Sequence, residues 1–173
     1  MPLHLKRVTF KAIGYKAQPE PLAQEHSWSL FAPLESGNDS GCILLKQIAS
    51  LADKRDKQAA LLALKKLIQI AALGQPLTVH YDKKRCHELH TFKYAGKERV
   101  IWRIRHGDIR LPFYYGQGKL IFLAGALSKR KDRLSNAETL ALEKEVKRYI
   151  DAEQAGRLEY ETDAANACNS PRR

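Results

Sequence analysis

The sequence predicts an α+β domain, an antiparallel sheet of about four to five strands packed against an N-terminal helical hairpin and a C-terminal helix. Three observations predict it. Apolar residues recur at helical spacing across residues 43–73, period-two alternation with glycine turns takes over across 99–127, and a capped amphipathic helix opens near Ser135. The length of 173 residues suits one domain with an appendage and is ample for a hydrophobic core. With 44% apolar and 28% charged residues the composition is that of a globular chain rather than a disordered or fibrous one. No apolar run approaches the ~18 residues of a membrane span. The opening MPLHLKRVTFKAIGYK alternates charge with single apolar residues and has no secretory core, so a cytoplasmic protein with no membrane partner is expected.

Taken in order, Lys6 to Ala12 reads as a strand with Val8, Phe10 and Ala12 on one side. A proline-bearing connection over 17–27 leads to a short strand at Trp28 to Phe31, and Ser36 to Gly41 is a strong break. Ile43, Leu44, Ile48 and Leu51 then mark one helix, and Leu61, Leu64, Ile68 and Ala71 the face of a longer one from about Lys54 to Leu73. Gly74 stops that helix and Pro76 prevents its continuation. The short polar link 52–56 favours a helical hairpin.

Past Gly74 the runs become short and β-rich. Leu77 to Tyr81 and His87 to Tyr94 are candidate strands, followed by Arg99 to Arg105, Ile109 to Tyr115 and Lys119 to Leu127. Gly107 and Gly118 supply the positive φ that hairpin turns require, so an antiparallel meander is expected. Ser135 with Glu138 makes a capping box ahead of the stripe Leu142, Val146, Tyr149 and Ile150. The expected organisation is an N-terminal extension over 1–41 with one or two short strands, a main domain over 42–155, and a flexible polar tail over 156–173.

The net charge of +11 is concentrated in one region. Residues 83–133 hold 14 basic and 4 acidic side chains, an excess of +10 in less than a third of the chain. Such a density needs solvent or an anionic partner, and nucleic acid, an acidic protein or an anionic membrane surface are the physical candidates. If Gly107-Asp108 forms a two-residue turn, Arg105 lies opposite Arg110, Ile104 opposite Leu111 and Trp102 opposite Phe113. Arg103, Arg105, Arg110 and Tyr114 then share one face, where facing arginines repel unless an anion lies over them. The alternative is a solvated face of screened charges. Ser128-Lys129-Arg130-Lys131-Asp132-Arg133 adds four cations after the last strand of the meander, aimed over the same face, and guanidinium groups beside Tyr114 suit phosphate binding with base stacking.

Cys42, Cys86 and Cys168 form no CxxC pair and are an odd count, which excludes a disulfide framework. Cys86, His87 and His90 carry donor atoms a metal could use, but His87 and His90 are three apart on a strand and so point to opposite faces; no metal site is expected. His106, in the hairpin turn beside the arginines, is either a general acid or base or a plain turn histidine. The glycine-rich phosphate loops, the nucleophile elbow and the zincin motif are all missing from the sequence.

The segment VIWRIRHGDIRLPFYYGQGKLIFLAGALSKRKDR, preceded by a helical hairpin and followed by a helix, resembles the RelE/ParE superfamily of bacterial toxins, nearest its HigB-like and phage-derived branch. The resemblance spans roughly residues 43–152 and is strongest over 99–133. It implies the toxin of a toxin–antitoxin pair, a ribosome-dependent mRNA endoribonuclease that activates the ribose 2′-hydroxyl with basic side chains and needs neither metal nor organic cofactor. By position it implies catalytic roles for Arg103, Arg105, Arg110, Lys129 and Arg130. RNA contacts are expected from Arg99, His106, Tyr114, Lys131 and Arg133. Its implied partners are mRNA on the ribosome and a cognate antitoxin, and an acidic helix or strand is the form that would neutralise the basic face. Within this reading Lys129, crowded by cations, is the candidate base, and Arg110 and Arg130 stabilise phosphate. Pro112 stands where the family has a β-branched residue, no C-terminal tyrosine aligns after Arg133, and Ala124 replaces a frequent histidine. Two alternatives are a ParE-like, non-enzymatic inhibitor of DNA gyrase and a catalytically weak nucleic-acid-binding relative.

Overall fold

The computed structural model describes residues 2–35, 41–129 and 133–161. Its elements run β1 (Leu3–Arg7), β2 (Ser29–Pro33), α1 (Ile43–Ala49), α2 (Lys54–Ala72), α3 (Leu77–His80), β3 (Cys86–Tyr94), β4 (Lys97–His106), β5 (Ile109–Gly116), β6 (Leu120–Leu123), β7 (Leu127–Ser128), α4 (Asn136–Gln154) and β8 (Leu158–Glu161). The class is α+β, but the sheet corrects the expectation of four to five antiparallel strands. It has eight strands and is mixed, in the order β3-β4-β5-β6-β2-β1-β8, with β7 pairing β5 off that path. The meander β3 to β6 is antiparallel as expected. The parallel joins are β2 to β6 and β1 to β8.

The added strands come from segments whose pairing no local pattern reveals. The N-terminal strand ends at Arg7, earlier than the alternation suggests, and the chain turns over 10–14, so Val8, Phe10 and Ile13 reach the core from an extended stretch and a turn. Residues 158–161 lie in the stretch expected to be a polar tail, yet they pair in parallel with β1. Three of those four residues are exposed, which removes the apolar alternation by which a strand is recognised. Leu77–His80 is a single helical turn rather than a strand. The run 119–127 is divided, because Ala124 to Ala126 leave the ladder between β6 and β7. Residues 36–40 of the expected break, and 162–173 with Cys168, lie outside the described residues.

Helix formation follows local rules closely. The Asp53 side chain accepts the backbone N–H of Arg55 at 2.8 Å and caps α2. Gly74, with φ +75°, stops it, and a Cβ there would lie 2.5 Å from the backbone oxygen of His26, so both conformation and space demand glycine. At α4 the Ser135 hydroxyl accepts from the Glu138 N–H while the Glu138 carboxylate accepts from the Ser135 N–H.

Apolar residues lie on both sheet faces. On one, Ile104, Ile109, Leu111, Phe113, Ile121 and Leu123 pack with α1, α2 and the 8–15 segment. On the other, Ile101, Tyr114 and Phe122 pack under Leu142, Val146, Tyr149 and Ile150 of α4. That second face is the one expected to be an open basic surface. Alternation assigns residues to faces but does not say which face a distant helix will cover, and Ile101, Leu120 and Phe122 are among the apolar residues on it. Among the described residues no helix is long and apolar enough to cross a membrane.

Candidate functional site at the β4–β5 hairpin tip

The hairpin register is the expected one: Arg105 pairs with Arg110, Ile104 with Leu111 and Trp102 with Phe113. Gly107 takes φ +59° at the turn. The tip is tied to the chain that follows the sheet, since the Lys129 N–H donates to the Asp108 carbonyl at 2.7 Å and Arg110 pairs with Leu127. Pro112 is accommodated opposite Arg103 inside the β4–β5 ladder, on a strand that also pairs with β6 from Phe113 onward.

The two central arginines are buried, Arg103 to 3% and Arg110 to 2% exposure. Arg103 Nη1 donates to the Lys84 carbonyl at 3.1 Å, and its Nη2 lies 2.5 Å from His87 Nε2. Arg110 Nη1 donates to the carbonyls of Gly107 at 2.7 Å and Ile109 at 3.2 Å. Arg110 therefore fixes the shape of the turn it sits behind. Arg105 is half-buried and is placed at the rim, with its Nε 3.4 Å from the Gly107 carbonyl. His106 is exposed in the last position of β4.

Other expected contacts are distributed differently. Tyr114 is 8% exposed and meets Tyr149 edge-on at 5.9 Å, so it packs in the core under α4 instead of offering a stacking platform. Arg99 holds it there, donating Nη1 to the Tyr114 hydroxyl at 3.0 Å and Nε to the Tyr94 carbonyl at 3.1 Å. Lys129 is ion-paired with Glu138. Its ammonium therefore has a carboxylate partner on α4, where the sequence suggested only crowding by other cations. Arg133 is exposed just ahead of α4. Arg130 and Lys131 lie outside the described residues.

Alternation fails at one place that matters. The ladder between β3 and β4 shifts register between Glu88 and His90, so His87 pairs with Arg103 and His90 with Ile101, and both histidines look toward α4. His90 contacts the Glu143 carboxylate, and Lys147 reaches the same carboxylate at 3.5 Å. This links β3 to the helix. Even so, among the described residues no group of three or more His, Cys, Asp or Glu side chains is placed to hold a metal. Burial pushes the Cys86 thiol up to about 11, with the Arg103 charge opposing, so Cys86 is an inert core thiol rather than a nucleophile.

The carboxylates at α4 couple the site to pH. Glu143 is held below the usual value of 4.5, first by its hydrogen bond from His90 and then by Lys147. At Glu138 burial pushes upward, but the bonds from Lys129 and Ser135 together bring the net shift below 4.5. Depressed carboxylates contribute stability that is complete above their unfolded pKa and lost as pH falls through the folded value. The contributions of Glu138 and Glu143 to the urea midpoint are therefore expected to fall away as pH drops below about 4.5. Glu143→Gln should flatten part of that acid limb, as read from urea melts at a series of pH values.

Around the corner from the tip, on the α2 side, a cavity of about 710 Å³ opens between α2, the 81–85 segment and the end of β4. Lys66, Lys84 and Arg85 line it together with Arg105 and His106. The first three were not singled out from the sequence. The signal for Lys84 and Arg85 was the run Lys83-Lys84-Arg85, obscured because the preceding residues read as a strand when they form a helical turn followed by a loop. No family model, curated protein or solved structure matches the chain.

Proposed function

We propose that this protein is an RNA-cleaving toxin, a ribosome-dependent mRNA endoribonuclease whose working surface is the rim of the β4–β5 hairpin tip. The observation that carries the reading is the register that sets Arg105 beside Arg110 at a turn bonded to Lys129, with His106 exposed next to them. The resemblance to the RelE/ParE superfamily supplies the reaction class. In this reading Arg105 and Lys129 bind the scissile phosphate. Arg110, bonded to the turn carbonyls, is a positioning residue. His106 takes the proton of the 2′-hydroxyl, whose oxygen attacks the adjacent phosphorus. The bond from phosphorus to the 5′-oxygen breaks, leaving a 2′,3′-cyclic phosphate, and the departing 5′-oxygen takes up a proton returned by the protonated His106 through solvent. A fixed cation beside the developing charge is worth more in the transition state than in the ground state.

The partners follow from the same surface, mRNA on the ribosome and an acidic antitoxin laid over the basic rim. Induced expression of the chain without a partner is expected to arrest growth with rapid loss of message. Supercoiling defects and an SOS response without message loss would instead indicate a gyrase inhibitor. Arrest with neither effect would leave a nucleic-acid binder.

A further inference from the structure

The cavity on the α2 side shares Arg105, His106 and Gly107 with the hairpin tip to which cleavage is assigned and extends away from it, and its lining has a definite chemistry. Lys66 projects from α2, Lys84 and Arg85 from the loop ahead of β3, and no acidic side chain is among the lining residues. Asp82, the acid nearest along the chain, accepts the Arg85 N–H through its Oδ1 at 2.9 Å and so belongs to the turn. The floor is apolar, made by Ala63 and Ile104. Tyr81 forms a wall, 4% exposed, with Lys66 Nζ 5.1 Å from its ring centre. Its hydroxyl is shut off from solvent and has no hydrogen-bond partner among the described residues.

Each feature constrains the ligand. Four like charges, Arg105 included, meeting in one hollow without a carboxylate cost free energy that an anion recovers, and two guanidinium with two ammonium groups suit phosphate oxygens. An apolar floor beside a tyrosine suits a flat ring. A volume near 710 Å³ admits a small organic ligand rather than a bare ion.

We propose that this cleft is a nucleotide-phosphate site, with Lys66, Lys84 and Arg85 gripping the phosphate and the base lying over Ala63 and Ile104 beside Tyr81. The phosphate can belong to a free nucleoside monophosphate or to one residue of an RNA strand. Because Arg105 and His106 belong to both, the inference rests on the proposed reading of the tip, and binding is read separately from cleavage.

The test is calorimetric titration of the full chain with adenosine 5′-monophosphate, with adenosine, and with an eight-residue oligoribonucleotide, in the wild type and in Lys66→Ala/Arg85→Ala. Saturable binding of the monophosphate but not of adenosine, weakened roughly tenfold or more in the double variant, supports the site with a free nucleotide as its ligand. Binding of the oligoribonucleotide alone, with the same loss, supports it with the strand as ligand. The single variant Lys84→Ala should move in the same direction, and Lys93→Ala, on β3 outside the lining, should not. Adenosine binding as tightly as its monophosphate would overturn the proposal. So would equal binding by the double variant and the wild type, or no binding of either phosphate ligand, provided circular dichroism shows all variants folded. Cleavage of message plays no part in this readout.

Discussion

Replacing Tyr149 with alanine is expected to cost about 3–5 kcal/mol of unfolding free energy, the usual range for emptying a buried aromatic position. Tyr149 is fully buried where α4 crosses the sheet, stacked on Phe122 at 4.7 Å and edge-on to Tyr114. Its hydroxyl is bonded to Glu153, whose carboxylate also accepts the Gln117 N–H at 3.0 Å. Burial, followed by the neighbouring Glu153, pushes the phenol pKa well up, so it stays a neutral donor at any physiological pH. The fit is close: a Cβ on Gly116 would fall 2.0 Å from that hydroxyl oxygen. Against the 5–15 kcal/mol that a domain of this kind has in total, a loss of this size is close to unfolding. Tyr149→Phe keeps the ring and should cost far less. Chemical denaturation of the three proteins checks both statements, and equal midpoints would show that α4 does not clamp the sheet.

Arg105→Ala is expected to lower message cleavage by about 10²–10³-fold, the effect of removing one preorganised stabiliser of transition-state charge. Its melting temperature should change little, because Arg105 is half-buried at a hairpin tip and substitutions at such positions are usually within about 0.5 kcal/mol. Arg110→Ala is a poor probe of chemistry by comparison. Arg110 is 2% exposed and bonded to two carbonyls of the turn, so its removal disturbs the shape of the tip as well as its charge. A variant that loses cleavage and stability together reports on folding, and Arg105 separates the two.

The order of helices and the antiparallel meander were legible because each is written locally. Asp53, Gly74 and the Ser135 box set helix ends from within a few residues, and a two-residue turn at Gly107 fixes the Arg105 to Arg110 register without reference to the rest of the chain. Parallel pairings carry no such mark. Nothing in Leu158–Glu161 announces that it will lie beside Leu3–Arg7, some 150 residues away, so the sheet was expected to be smaller and wholly antiparallel. The site shows the same division. Alternation brought Arg103, Arg105, Arg110 and Tyr114 to one face, which they share, but which of them reach solvent depends on where α4 docks. Arg103 and Tyr114 are covered, Arg105 and His106 remain at the rim, and the bulge after Glu88 turns His87 and His90 to one side against the period-two rule. The cations of the α2-side cavity come from a helix, a loop about 20 residues further on and the end of β4, a meeting that only tertiary packing creates.

The measurement that tests the central claim most directly is primer extension on a defined message incubated with the purified full chain, with and without translating ribosomes, alongside Arg105→Ala. Cuts that require ribosomes and fall about 100-fold or more in a folded Arg105→Ala protein are the predicted result. An intact message under both conditions would contradict it, as would equal cutting by the wild type and Arg105→Ala.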